Sequence, residues 1–273
     1  MPEILTLYTS KVCPSGQRVE IALIEANAQF DRYEIDLGNK PEWYAPKVNP
    51  AGKVPAVAYG GPRVPADQPS PSSTKIAESL VLLEFVVDLH PDANILPRDP
   101  ILRAKARFFI DAVSTKYIPA AYIAYIINGE EGAREKLFKA TEDIQALLPS
   151  EGYAIGEWSI ADAAITPFLA RIVVSLENDI GRYPEGEGPA TLNDLRQSQK
   201  FKRFNKYLQD VTCRQSFTKT FDKASECGKI AFIYVPDVLD FRNTTGKYWH
   251  THSLATQRQP KQLTAGRLAP NPR

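Results

Sequence analysis

Residues 11–18 (KVCPSGQR) place a cysteine and a proline between a short apolar strand and an amphipathic helix. The strand is predicted over residues 4–8, which are rich in β-branched and aromatic side chains. Pro14 suits the first position of a helix, which makes Cys13 the predicted N-cap. Behind it, apolar side chains recur at i, i+3, i+4 and i+7, the spacing of a half-buried helix. They are Val19, Ala22, Leu23 and Ala26.

Cys13 is therefore a candidate reactive thiol. At a helix N-terminus, unpaired N–H groups and the positive end of the helix dipole favour the thiolate. A buried structural cysteine, which behaves as a small apolar side chain, is the alternative. Cys-Pro at the start of a helix that follows a strand favours the reactive thiol. We predict a lowered thiol pKa and an early reaction with disulfides.

The length, charge and composition of the chain limit the classes of function that it can have. A chain of 273 residues has room for two domains, and a net charge of +1 argues against nucleic acid or an acidic membrane as partner. The three cysteines, Cys13, Cys213 and Cys227, have neither disulfide-framework nor metal-ligand spacing, which suits a reducing compartment.

His250 and His252 lie in a polar tail with no third ligand in view, so we expect no metal site. A strand almost at residue 1 leaves no room for a signal peptide, and the longest uncharged apolar run (117–127) is too short to span a bilayer. We expect a cytoplasmic protein with no membrane partner.

The first third of the chain indicates a βαβ unit and a ligand-binding edge. Residues 30–37 alternate apolar and polar side chains, which predicts a strand parallel to the first. Residues 49–57 form a Pro/Gly turn that enters a short strand, and a cis Val54–Pro55 bond would turn the Val54 N–H and C=O outward. After a Pro-rich loop over 60–73, a helix is predicted to begin near residues 75–79. Glu78 and Ser79 would lie in its first turn, where N–H groups hold a carboxylate, although ordinary polarity of a helix start stays an alternative.

The remainder is predicted to be helical. Residues 89–100 form a linker, residues 101–128 one long helix kinked at Pro119, and residues 134–148 a second helix. Ser159 is predicted to cap a further helix with Asp162 at its third position, a structural role that we prefer to a catalytic one. Residues 194–221 supply a last helical region, and residues 230–238 are apolar enough to pack back on it. The tail from 243 to 273 has basic but no acidic side chains, and we expect it to be mobile.

In this order the motifs closely resemble those of the cytosolic glutathione transferases, and within them the omega class with its fungal members. The resemblance covers residues 1–235. Cys13-Pro14 followed by Arg18 matches the omega active-site pattern Cys-Pro-x-x-x-Arg. Residues 39–43 (NKPEW) match the family's Lys-Pro-Glu-Trp segment, and Val54-Pro55 resembles its cis-proline turn. The resemblance implies that this Val54–Pro55 bond is cis.

The resemblance also implies a fold, a co-substrate and site residues. The resemblance implies an N-terminal α/β thioredoxin-like domain (1–88), a linker (89–100) and an all-α C-terminal domain (101–242), followed by the tail. It also implies a homodimer. Glutathione is the co-substrate. Lys40 approaches its glycyl carboxylate, Val54-Pro55 pairs with its cysteinyl backbone, and Glu78-Ser79 binds its γ-glutamyl end. Lys53 is a further glutathione-binding position.

Three functions remain open at this stage. In the first, Cys13 attacks a glutathionylated substrate, forms a mixed disulfide and is regenerated by a second glutathione. In the second, Ser15 assists glutathione conjugation, because Ser15-Gly16 departs from the family's aromatic-Ala and is closer to the serine-using tau transferases. The third is a ligand-binding protein without turnover.

The second ligand is expected at the first helix of the C-terminal half. Tyr117, Tyr122 and Tyr125 fall on one arc of that helix, which in the family lines an open hydrophobic site. They predict a wall for aromatic or glutathionylated small molecules. Their alternative role is in the core or in the dimer interface.

Overall fold

The computed structural model describes residues 3–223. Several sequence predictions therefore lie outside the described residues. They concern Cys227, the apolar segment 230–238, the two tail histidines and the basic tail.

A four-stranded mixed sheet forms the N-terminal half, with strand order β2-β1-β3-β4. The strands are β1 (Leu5–Thr9), β2 (Asp31–Glu34), β3 (Ala56–Tyr59) and β4 (Thr74–Ala77). Helix α1 (Pro14–Glu25) connects β1 to β2, which pair in parallel, whereas β3 pairs antiparallel with both β1 and β4. The βαβ prediction and the thioredoxin-like fold are confirmed.

The prediction of a helix from residue 75 is wrong at its start. Residues 74–77 form β4, and helix α3 (Ser79–Leu89) begins only after it. A strand of four residues is too short for a convincing alternation of side chains, and its conformation is set by pairing with β3. A short helix, α2 (Tyr44–Lys47), precedes β3.

The second half is helical. After a 3₁₀ turn (Pro91–Ala93), α4 (Pro100–Ala112) leads into a π-helical segment (Val113–Asn128). The following helices are α5 (Ala133–Leu147), α6 (Ile160–Glu177), α7 (Glu187–Gln197), α8 (Lys202–Thr212) and α9 (Gln215–Thr220), with a 3₁₀ turn at Gln199–Phe201. The domain boundaries at 88 and 100 stay predictions, although α3 ends and α4 begins near them.

Pro119 lies inside the π-helical segment rather than in a continuous α-helix. A proline has no N–H to donate and clashes with the carbonyl one turn back, so an α-helical ladder cannot continue unchanged through it. The structure accommodates Pro119 by a wider winding over the whole segment, which the sequence had indicated only as a kink.

Asp162 holds the start of α6 in the predicted capping box, which is confirmed. Its carboxylate accepts hydrogen bonds from the Ser159 and Ala154 backbone nitrogens, each at 2.9 Å, and from the Tyr207 hydroxyl at 2.8 Å. Burial raises the pKa of Asp162 to about 6, against the lowering effect of these hydrogen bonds. The carboxylate thus connects α6, the preceding loop and α8.

Helix α1 packs between α3 and α6, and one apolar core runs through both halves of the chain. Because Cys13 is the N-cap of α1, this packing fixes the thiol at the junction of the sheet and the helical half. Within residues 3–223, no helix has the length and apolarity needed to cross a bilayer. In the same range no three His, Cys, Asp or Glu side chains gather as metal ligands.

Candidate active site

Cys13 is the N-cap of α1, as predicted, with extended backbone angles (φ −85°, ψ 112°). Its Sγ accepts a hydrogen bond from the Gly16 backbone nitrogen at 3.4 Å and lies 3.6 Å from the Val54 carbonyl oxygen, to which the thiol donates. The residue is partly exposed. The thiol therefore sits between the helix N-terminus and the turn before β3.

Gly16 is required by a close approach that the sequence did not reveal. A Cβ at this position would lie 2.2 Å from the Thr9 Oγ1 at the end of β1. Thr9 is fully buried, so its side chain has little room to move. Packing against Thr9 therefore explains the glycine at position 16, where the family pattern has alanine.

Two buried arginines connect the start of α1 with α6. From α6, Arg171 donates to the Lys11 carbonyl oxygen at 3.0 Å and to the Gln17 Oε1 at 2.5 Å. From α1, Arg18 donates to the Ala164 carbonyl oxygen of α6 at 2.7 Å. Sequence reasoning missed Arg171, for which a single arginine within the apolar run of α6 was the available signal.

Burial raises the pKa of the Cys13 thiol. The Gly16 N–H and the positive charges of Arg171 and Arg18 act in the opposite direction without reversing the shift. The prediction of a lowered pKa is therefore wrong for this structure. The free-energy cost of removing water from the thiolate is larger than the stabilisation of the thiolate by the helix N-terminus and the two guanidinium groups.

The Val54–Pro55 bond is cis, as the resemblance implied. The preceding carbonyl oxygen of Lys53 accepts hydrogen bonds from the Tyr44 hydroxyl and the Asn49 side-chain amide, both at 2.8 Å. These bonds fix the turn next to Cys13. The Lys53 side chain is exposed, Val54 is half-buried and Pro55 is buried.

Glu78 and Ser79 form the start of α3. Glu78 is its N-cap and has φ +70°, a rare conformation for a residue with a side chain, and its side chain is exposed. Strained backbone of this kind costs roughly 1–3 kcal/mol and is concentrated at functional sites. Ser79, buried, accepts a hydrogen bond from Arg18 Nη1 at 3.1 Å. Lys40 is exposed in the turn after β2.

Ser15 lies in the first turn of α1 and is partly exposed. Its position beside Cys13 keeps it available as a second candidate. No hydrogen bond of its hydroxyl with Cys13 is among the hydrogen bonds of residues 3–223.

The three tyrosines predicted as a ligand wall are all buried, with Tyr117 and Tyr125 each 2% exposed and Tyr122 3% exposed. Tyr117 packs on the Phe204 ring, and Tyr125 stacks on Tyr183 at 4.9 Å. These contacts are those of core residues, the alternative role considered for them.

Tyr122 is the one of the three that connects to the site. Its ring meets Phe168 edge-on at 5.5 Å, and Phe168 in turn lies 4.6 Å from the Arg18 guanidinium. A further aromatic residue was missed by the sequence analysis. Phe221, half-buried, lies 5.4 Å from the Arg171 guanidinium and stacks on Phe217 at 4.8 Å.

The chain has relatives among known proteins. A family model described as "Glutathione S-transferase, N-terminal domain" matches residues 7–94. The crystal structure of glutathione transferase Omega 1C from Trametes versicolor is 56% identical and has a TM-score of 0.82, covering 85% of this chain and 97% of its own.

Two further relatives extend the comparison. Glutathione transferase Omega 2S from the same fungus, solved in complex with 2,4-dihydroxybenzophenone, is 41% identical, with a TM-score of 0.80 over 85% of this chain and 100% of its own. Glutathione S-transferase L1 of Arabidopsis thaliana is 30% identical over 178 residues, which is 63% of this chain and 68% of that protein.

Proposed function

Because the chain belongs to the omega class of the glutathione transferases, with glutathione as its co-substrate, we propose that it is a thiol transferase that acts through Cys13. The observation that carries this proposal is the place of the Cys13 Sγ, 3.4 Å from the Gly16 backbone nitrogen at the start of α1. A thiol at this position can attack a sulfur that lies against the Val54 turn.

The proposed reaction has two exchange steps. In the first, the Cys13 thiolate attacks the glutathione sulfur of a glutathionylated substrate, the bond to the substrate sulfur breaks, and the substrate leaves as a thiolate that takes up a proton. In the second, the thiolate of a free glutathione attacks the mixed disulfide. Oxidised glutathione leaves, and Cys13 returns as a thiolate.

The proposed glutathione pose uses the residues around this turn. Val54 offers its backbone groups to the cysteinyl part of the ligand, and Lys40 and Lys53 are exposed cations for the glycyl carboxylate. Ser79 opens α3, where unpaired N–H groups favour the α-carboxylate of the γ-glutamyl end, and the Glu78 carboxylate can offset its ammonium.

The second candidate is glutathione conjugation assisted by Ser15. The partial exposure of Ser15 in the first turn of α1 favours it, since a hydroxyl there can donate to a glutathione thiolate. A serine cannot form a disulfide, so the two candidates differ in whether a covalent adduct accumulates.

The adduct experiment separates them. After incubation with oxidised glutathione between pH 7 and pH 10, we expect the intact mass to show one glutathione per chain, and peptide mapping to place it on Cys13. The rate should rise with pH, because a raised pKa keeps the thiol protonated at neutral pH and the thiolate forms only as pH climbs towards that pKa.

Cys13→Ser is the matched control and should take up no adduct at the active site. An adduct confined to Cys213 or Cys227 would contradict the proposal. A Cys13 adduct whose rate is independent of pH over this range would contradict the raised thiol pKa instead.

An aromatic ligand site next to Cys13 is the second part of the proposal. The complex of the Omega 2S relative with 2,4-dihydroxybenzophenone supports it, as does the half-buried Phe221 ring beside Arg171. Phe221 can stack on a planar ligand, whereas the rings of Tyr117 and Tyr125 are enclosed by the core. Tyr122 would act only through Phe168.

Titration with 2,4-dihydroxybenzophenone, followed by tryptophan fluorescence, tests this site. Phe221→Ala should weaken binding by about 0.5–1.5 kcal/mol, the usual contribution of an aromatic pair. Tyr117→Phe is the control and should leave the affinity unchanged. Equal affinities of the wild type and Phe221→Ala would remove Phe221 from the site.

The homodimer implied by the resemblance stays a prediction, which sedimentation of the purified chain would test. Val81 on α3 and Phe108 on α4 support it, because both are apolar and exposed, at 54% and 60%. The Glu84–Arg107 ion pair links the same two helices.

A further inference from the structure

Arg18 is a buried cation whose hydrogen-bond partners are neutral. The residue is 5% exposed, its Nε donates to the Ala164 carbonyl oxygen at 2.7 Å, and its Nη1 donates to the Ser79 Oγ at 3.1 Å. The guanidinium also lies 4.6 Å from the Phe168 ring. Within residues 3–223 it forms no ion pair, and its buried Nη2 has no hydrogen-bond partner.

A buried charge is costly unless an opposite charge balances it. Burial lowers the pKa of Arg18 to about 10, so the guanidinium is still protonated at neutral pH. Among the ionisable groups of residues 3–223, the Cys13 thiol acts electrostatically on this charge, and burial raises the pKa of that thiol, which disfavours its anionic form. The Arg18 guanidinium is therefore a buried positive charge with no ion-pair partner among residues 3–223.

The contact with Arg18 also decides how the Ser79 hydroxyl can be used. Because the Ser79 oxygen accepts a hydrogen bond from Arg18, its hydrogen is left to donate to another group. Ser79 is the first residue of α3, so backbone N–H groups without helical partners surround that hydroxyl. An anion at this point could accept hydrogen bonds from the Ser79 hydroxyl and from the N–H groups at the start of α3. The positive charge of Arg18 would lie next to it, on the other side of the Ser79 hydroxyl.

We propose that Arg18 is the positioning residue for the α-carboxylate of glutathione: it orients the Ser79 hydroxyl as a donor and supplies the positive charge that this carboxylate balances. The proposal rests on the proposed function, in which Ser79 holds the γ-glutamyl end. It assigns to Arg18 a role in selecting a ligand with a carboxylate at that position. Through the Ala164 contact, the same guanidinium connects the ligand to α6.

The test compares two ligands by isothermal titration calorimetry. One is glutathione, and the other is 4-aminobutyryl-Cys-Gly, which has a hydrogen atom in place of the α-carboxylate. Arg18→Gln should weaken glutathione binding by about tenfold or more, the order expected when a charge-assisted contact is lost. It should change the affinity for the analogue by less than about twofold, because that ligand has no carboxylate for Arg18 to act on.

Three further variants sharpen the result. Arg18→Lys keeps the charge but not the fork of donors and should restore part of the discrimination between the two ligands. In a Ser79→Ala background, Arg18→Gln should cost less than in the wild type, since the two residues act as a unit. Lys40→Ala is the matched control and should weaken both ligands equally, because both keep the glycyl carboxylate.

Equal losses for the two ligands in Arg18→Gln would make Arg18 a purely structural residue and overturn the proposal, as would no loss for either. If Arg18→Gln does not fold, the ligand discrimination of Arg18→Lys and Ser79→Ala decides, and unchanged discrimination in both overturns it. A wild type that binds both ligands equally well overturns this proposal alone. A wild type that binds neither ligand overturns the proposed function instead.

Discussion

Cys13→Ser is expected to lose thiol-transferase activity by a factor on the order of a thousand or more, because the reaction proceeds through a sulfur–sulfur bond that an oxygen cannot form. The hydroxyl of serine can still accept the Gly16 N–H, so the start of α1 should be preserved. The assay is the reduction of a mixed disulfide of glutathione with a small thiol. Glutathione affinity, measured by calorimetry, should change little.

Ser15→Ala is the matched control, since it removes a hydroxyl from the same helical turn without touching the thiol. It should keep most of the thiol-transferase activity. If Ser15→Ala loses the activity while Cys13→Ser keeps it, the reaction does not pass through a Cys13 disulfide, and the proposal for Cys13 is wrong. A gain of conjugating activity in Cys13→Ser would be compatible with the proposal, because serine at this position can stabilise a bound glutathione thiolate.

The elements around Cys13 were predictable because their signals are local. The strand, the Pro14 start and the apolar spacing of α1 all lie within a few residues of one another, and each is a property of the backbone there. The capping box of Ser159 and Asp162 is of the same kind. These predictions depended only on neighbours along the chain, and they were confirmed.

The electrostatics of the site depend on residues far apart in sequence, and there the sequence was insufficient. The thiol pKa is set by burial, which follows from packing of α1 on α6. Arg171 donates a hydrogen bond to the carbonyl oxygen of Lys11, in the turn before Cys13, although the two residues are 160 positions apart in sequence. The strand β4 likewise exists because β3 lies next to it. Local patterns predict the N-cap, and only the assembled fold determines how much water the thiolate loses.

The three tyrosines illustrate the same limit. A helical arc of aromatic side chains is compatible with a ligand wall and with a core, and the sequence offered no means to choose. In the structure Tyr125 donates to or accepts from Thr191 at 2.7 Å and stacks on Tyr183, contacts made across the helical half. Phe221 lay outside the arc, at the end of the chain's last described helical region, yet it is the ring beside Arg171.

Asp162→Ala is expected to destabilise the protein by roughly 3–5 kcal/mol, the largest stability effect that the site's surroundings predict. The carboxylate is fully buried and accepts short hydrogen bonds from three donors, the Ser159 and Ala154 backbone nitrogens and the Tyr207 hydroxyl, and a longer one of 3.5 Å from the Ser159 hydroxyl. Its removal leaves all three donors buried without an acceptor, and each such donor costs about 1–3 kcal/mol. The measurement is the free energy of unfolding in urea at neutral pH.

Two smaller changes to the same network act as controls. Tyr207→Phe removes one donor together with its hydrogen bond and should cost about 1 kcal/mol, because it leaves the two backbone donors satisfied. Ser159→Ala removes the side-chain cap of α6 and the 3.5 Å contact of that hydroxyl with Asp162, and it should also cost about 1 kcal/mol. If Asp162→Ala costs no more than either control, the carboxylate is an ordinary N-cap partner. The link that it makes between α6, residue 154 and α8 would then contribute little to holding the helical half in place behind Cys13.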